Sequence, residues 1–158
     1  MFRRIIIFFI SFFLLAGCGQ DTAAVSKTIE SADDLKAILA SHLNQSKEES
    51  ANVLISLLHL DPESVVDAKA VFEEGNTGKM AIVILSKDSD TALETSDQLN
   101  YYLTTLKNSA AQYNPEALEL INNGYIYTKD NVSVLVISDD ISSVKTDLAN
   151  YFANYSAN

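Results

Sequence analysis

The chain has 158 residues, a formal net charge of −10, a single cysteine and no tryptophan. Its only arginines, Arg3 and Arg4, lie at the start, so residues 18–158 hold nine lysines against 21 carboxylates, a charge of −12. That surface repels phosphate backbones and anionic lipid heads and lacks guanidinium forks, which argues against nucleic acid as a partner, and one cysteine allows no internal disulfide.

Residues 1–18 set the expected address. Arg3 and Arg4 form a positive head, residues 5–16 are apolar apart from Ser11, and Leu15-Ala16-Gly17-Cys18 closes the run. The apolar stretch is shorter than the ~20 residues a membrane-spanning helix needs, and it ends in small residues as a cleavage site requires. The pattern is that of a bacterial lipoprotein signal over residues 1–17, with Leu15, Ala16 and Gly17 as the cleavage motif and Cys18 as the lipidated residue. The Cys18 sulfur would carry a diacylglycerol, because two acyl chains anchor stably where one binds reversibly. The remaining 141 residues are the size of one ordinary domain. Residues 18–30 are small and polar around the expected lipid, a tether with a reach of roughly 20 Å, and residues 31–158 form the single domain.

Along that domain Ser31 is an expected N-cap, Asp33 and Asp34 enrich the first turn, and Leu35, Ile38, Leu39 and Leu43 repeat at helical spacing. A second apolar group, Val53 to Leu60, follows a polar break at 44–50 and stops at Asp61-Pro62; helix and strand both fit it. From Val66 to Phe72 the period becomes two, Glu73 to Gly78 reads as a turn, and Met80 to Leu85 is a continuous apolar run, so a hairpin is expected. Asp88, Ser89 and Asp90 open a long helix whose stripe holds Leu99, Tyr102, Leu103, Leu106, Ala110 and Tyr113. Asn114 and Pro115 start a short helix that ends at Asn123-Gly124. Strands at 125–128 and 132–138 flank Lys129-Asp130-Asn131, and Asp139 or Asp140 caps a last helix that is expected to bury Val144, Leu148, Tyr151, Phe152 and Tyr155. The expected fold is α+β: a four-stranded antiparallel sheet from two strand–strand–helix units, helices mainly on one face, preceded by one or two helices.

The strands at 68–72, 80–85, 124–128 and 132–137, with Tyr113-Asn114-Pro115-Glu116 and Ser138-Asp139-Asp140 between and after them, resemble a family of small Gram-positive bacterial lipoproteins catalogued as a domain of unknown function. The resemblance covers residues 61–152 and implies the same fold and extracytoplasmic anchoring. It implies no activity or catalytic residue. The chain departs from the family at Asp130-Asn131, where a glycine is frequent, and before Asp61.

No cofactor or metal motif stands out, and no catalytic residue is assigned. His42 and His59 lie far apart, and a packed or solvent-facing imidazole is the plain expectation for each. Asp88-Ser89-Asp90 with Glu94 has the outline of a calcium loop without its glycine or its later glutamate, and helix capping explains it, as capping explains Asp139-Asp140. Gly75-x-x-Gly78 lacks the lysine of a phosphate loop and is a turn. Tyr102 and Tyr113 fit the core, whereas Tyr101, Tyr125 and Tyr127 are candidates for an exposed ligand surface. The function expected is that of a lipid-anchored extracytoplasmic binding or interaction module of the cell envelope, attached to the membrane through Cys18 and engaging an envelope protein or a small ligand. The alternative is an envelope hydrolase or metal-dependent enzyme whose groups converge only in three dimensions.

Overall fold

The computed structural model describes residues 29–75 and 77–157. The expected signal, Cys18 and the tether up to residue 28 lie outside the described residues. Met80 to Leu85 organise everything else: every residue of this strand, β3 (Met80–Ser86), is buried, so it has an apolar side chain to offer on both faces of the sheet. Met80, Ile82 and Ile84 point one way and Ala81, Val83 and Leu85 the other. β5 (Val132–Ile137) is buried along its whole length in the same manner and pairs antiparallel with β3, Met80 opposite Ile137 and Leu85 opposite Val132.

β2 (Val65–Glu73) flanks β3 and β4 (Tyr125–Lys129) flanks β5, each as a hairpin partner. A fifth strand, β1 (Ser46–Glu49), pairs with the outer side of β2, and the order is β1-β2-β3-β5-β4, antiparallel throughout. The fold is thus α+β, with five strands among the described residues instead of the expected four. The missed strand is the polar Ser-Lys-Glu-Glu segment, mostly exposed on both sides of an edge, where no face is apolar and period-two alternation has nothing to record.

The helices are α1 (Asp33–Ala40), α2 (Ala51–Leu57), α3 (Ser89–Tyr113), α4 (Pro115–Asn122) and α5 (Ile141–Ala157). α1 and α5 bring Leu35, Leu39, Val144, Leu148 and Phe152 onto the face that holds Val83 and Val134. α2, α3 and α4 bring Leu54, Leu58, Leu99, Leu103 and Ile121 onto the face of Ile82 and Leu135. The helices therefore cover both faces, which corrects the expectation of one. A sheet whose two central strands are apolar on both sides must be covered twice. The order strand–strand–helix does occur twice, as β2-β3-α3 and β4-β5-α5. A two-fold axis exchanging antiparallel neighbours stands normal to the sheet and keeps each face, so α3 and α5, on opposite faces, share an order and not a rotation.

Local signals act where expected. Asp88 caps α3, its Oδ1 accepting from Thr91 N at 2.8 Å, and Asp140 accepts from Ser143 N at 3.0 Å at the start of α5. Ser31 is displaced by one position: Ala32 occupies the N-cap of α1, and Ser31 Oγ accepts from Asp33 N at 3.2 Å. α2 resolves the ambiguous 53–60 segment as a helix, ended by His59 in the left-handed region at φ 53°.

Candidate functional site

Two places gather side chains from distant parts of the chain. The first lies at the sheet end where the β2–β3 turn meets α4 and the β5–α5 loop. Lys79 is its centre: Nζ stands 3.5 Å from Glu73 Oε2 and also contacts Asp139 Oδ2. Glu73 is nearly inaccessible and accepts both Asn44 N and Asn44 Nδ2 at 2.8 Å. Burial pushes the Glu73 carboxyl up, but the bonds from Asn44 and Thr77 and the charge of Lys79 outweigh it and hold it below the usual carboxylate range. Lys79 is held above its usual value, chiefly by its hydrogen bond to Asp139.

On one side of Lys79, Tyr113 and Asn114 help line a hollow of about 330 Å³ with Phe72, Met80 and Ile121. On the other, Glu116, Glu119, Asp139 and Asp140 line an open acidic recess of about 460 Å³. The Tyr-Asn-Pro-Glu and Ser-Asp-Asp segments, far apart in sequence, thus meet at one end of the fold. Asp139 serves Lys79, and Asp140 is the cap of the last helix.

The second place is a groove of about 490 Å³ between α1 and α5. Ile38 and Ser41 form the α1 side; Asp147, Asn150, Tyr151, Asn154 and Tyr155 form the α5 side. At its edge His42 Nε2 lies 2.9 Å from Asp147 Oδ2 and ties the two helices together. The Tyr151 and Tyr155 rings are near-parallel, 16° apart with centroids at 6.0 Å. From Tyr151 the aromatic contacts continue to Phe152 at 5.3 Å, from Phe152 to Tyr127 at 5.4 Å, and from Tyr127 to Tyr125 at 6.3 Å. Five rings therefore run from the β4 edge to the groove, with Lys145 over Tyr125 and Lys129 over Phe152. Burial raises the Tyr127 and Tyr151 phenols, with Asp34 and Tyr155 adding to it at Tyr151.

The candidates divide accordingly. Tyr125 and Tyr127 join the aromatic row, while Tyr101, 67% exposed on α3, stands apart from it. Tyr151 and Tyr155, expected as buried, are half-buried and line the groove. Tyr113, expected in the core, is 77% exposed. His42 meets Asp147, whereas His59 is exposed beside a separate hollow shared with Asp61 and Glu94. Among the described residues no three His, Cys, Asp or Glu side chains gather closely enough to hold a metal ion. No described helix is long and apolar enough to cross a membrane.

The model of one family, a domain of unknown function designated DUF4358, matches residues 40–138, more than half of the chain. The chain belongs to this family. The DUF4358 match begins at the last residue of α1 and stops just after β5, so it contains the whole sheet, α2 to α4, Glu73 and Lys79. The α5 side of the groove lies beyond it. No curated protein and no solved structure matches the chain.

Proposed function

We propose that this DUF4358 chain is a lipid-anchored lipoprotein of the cell envelope that works by binding, its domain held at the extracytoplasmic face of the membrane through Cys18 and engaging an envelope protein or a small ligand. The address is supported by Leu15-Ala16-Gly17-Cys18 behind an arginine-headed apolar run, and by the resemblance to small lipoproteins of Gram-positive bacteria. The observation that carries the binding reading is the α1–α5 groove: an open concavity walled by two helices locked through His42 and Asp147, and lined by two tyrosines beside amide and hydroxyl groups. Half-buried aromatics with polar neighbours offer contact area at low entropic cost.

The test has two arms in the producing cell. A Cys18→Ala form is expected to incorporate no labelled fatty acid and to leave the membrane fraction; if it remained membrane-bound with its signal uncut, the anchoring reading would be withdrawn. A photo-crosslinking residue placed at 155 is expected to capture a defined ligand that the same residue at 101 does not. Equal capture at both positions would remove the groove from the proposal.

A further inference from the structure

We infer that the α1–α5 groove is a saccharide site that takes an uncharged oligosaccharide. This rests on the binding reading above and names the ligand class. Six of the seven described lining residues carry a hydrogen-bonding group, and among them only Ile38 is aliphatic. A pyranose has the matching character, with weakly polar C–H groups on its faces to lie on rings and hydroxyls at its rim that both donate and accept. The Asn150 amide and the Tyr151 hydroxyl likewise donate and accept, and the Ser41 hydroxyl, whose proton goes to Ile38 O at 2.6 Å, accepts. The near-parallel Tyr151 and Tyr155 rings supply the aromatic contact.

Charge narrows the class. Among the described residues Asp147 is the only ionisable acid or base of the ordinary pH range in the lining, and its Oδ2 is already engaged by His42. Among the described residues no lysine lines the groove to meet a phosphate, sulfate or uronate, and the chain's acidity opposes any anion approaching it. A peptide fits less well. Its affinity comes from apolar or basic anchors in desolvated pockets, and this groove is open and almost without aliphatic wall. The ring contacts onward from Tyr151 through Phe152 to Tyr127 and Tyr125 brace α5 against the edge strand, so the Tyr151 ring is held in place before a ligand arrives.

The full-length chain, purified in detergent micelles, is titrated with the N-acetylglucosamine tetramer and with cellotetraose, two uncharged probes, and with a uronic-acid tetramer. Binding is read by calorimetry and by tyrosine fluorescence, which no tryptophan obscures in this chain. Saturable binding of at least one uncharged tetramer near millimolar strength is expected. Tyr155→Ala is expected to weaken it about tenfold and Asn150→Ala about fivefold, with Tyr101→Ala unchanged. Asn150 is exposed, so its variant tests the site without burdening the fold. The inference is overturned if neither uncharged tetramer binds up to about 10 mM, if the uronic-acid tetramer binds best, or if Asn150→Ala and Tyr155→Ala bind as the parent does. Capture of a protein from position 155 in cells, with all three titrations silent, would overturn the saccharide inference and leave the binding reading standing.

Discussion

The side-chain amide of Asn131 holds the backbone of Ile29 at both its groups. Ile29 N donates to Asn131 Oδ1 at 3.2 Å, and Asn131 Nδ2 donates to Ile29 O at 3.0 Å and to Ser86 O at 3.1 Å. Asn131 is 4% exposed, so these bonds are made out of water. The β4–β5 turn thereby fastens the segment that leads into α1.

Asn131→Ala strands three buried backbone groups and is expected to cost about 1–3 kcal/mol, seen as a lower urea midpoint with an unchanged slope. Asn131→Asp is expected to cost more, because an ionised carboxylate there faces two carbonyl oxygens. Limited proteolysis reports the place of the damage: cleavage near Ile29 should rise in both variants before the sheet itself becomes susceptible. Cleavage appearing first in the sheet would show that Asn131 does not fasten this segment.

Glu73 makes stability depend on acid. Its folded carboxyl titrates below its ordinary value, so the unfolded chain takes up the proton first as pH falls. The stabilisation is therefore complete above the unfolded pKa and is lost as pH drops through the folded one. Asp33, Asp88 and Asp140 shift in the same direction, each chiefly through a side-chain hydrogen bond, to Lys69, Thr91 and Ser143 respectively. Glu73→Gln is expected to lower stability at neutral pH and to flatten, without abolishing, the decline between about pH 5 and pH 3. Parallel stability–pH curves for parent and variant would count against it.

What was legible in the sequence was what neighbours decide. Asp88 and Asp140 cap because their own backbone lies within reach, and Met80 to Leu85 reads as a strand at any depth. β1 was hidden because Ser46 to Glu49 becomes a strand only by pairing with Ala70 to Glu73. The stripe of α3 is legible in its spacing, but the end of that stripe is not. Twenty-five residues of helix extend about 37 Å, while the seven of β3 extend about 24 Å, so the helix overhangs the sheet and Tyr113 leaves the core. At Tyr151 and Tyr155 the spacing says which way α5 faces; it does not say that Ile38 and Ser41 stand across from them with a groove between. The Asn44, Glu73, Lys79 and Asp139 assembly is non-local in the same sense, and only folding brings it together.

Phe152 belongs to both the core and the aromatic row. It is 2% exposed and touches the Tyr127 and Tyr151 rings. Phe152→Ala is expected to cost about 3–5 kcal/mol, and Phe152→Leu about 1 kcal/mol. Leucine keeps the core filled but removes the ring through which Tyr151 and Tyr127 are coupled. The leucine form is thus expected to fold and to show altered tyrosine emission. Unaltered emission would mean that the row is not coupled through Phe152.

Gly75 and Gly78 separate backbone strain from packing in one turn. Both have positive φ, 93° and 84°, so alanine costs about 1 kcal/mol at either from the left-handed backbone alone. Among the described residues a Cβ at Gly75 meets nothing within 4 Å, while one at Gly78 stands 3.3 Å from both Cγ1 and Cδ1 of Ile121 on α4. Gly78→Ala is therefore expected to be the worse by about another 1 kcal/mol. Ile121→Ala removes both carbons, so in that background the Gly78→Ala penalty should fall to that of Gly75→Ala, whose own penalty stays constant. A double-mutant cycle by urea denaturation measures the difference. Coupling to Ile121 is expected at Gly78 and none at Gly75; equal coupling at both would mean that the β2–β3 turn does not rest on α4 through Gly78.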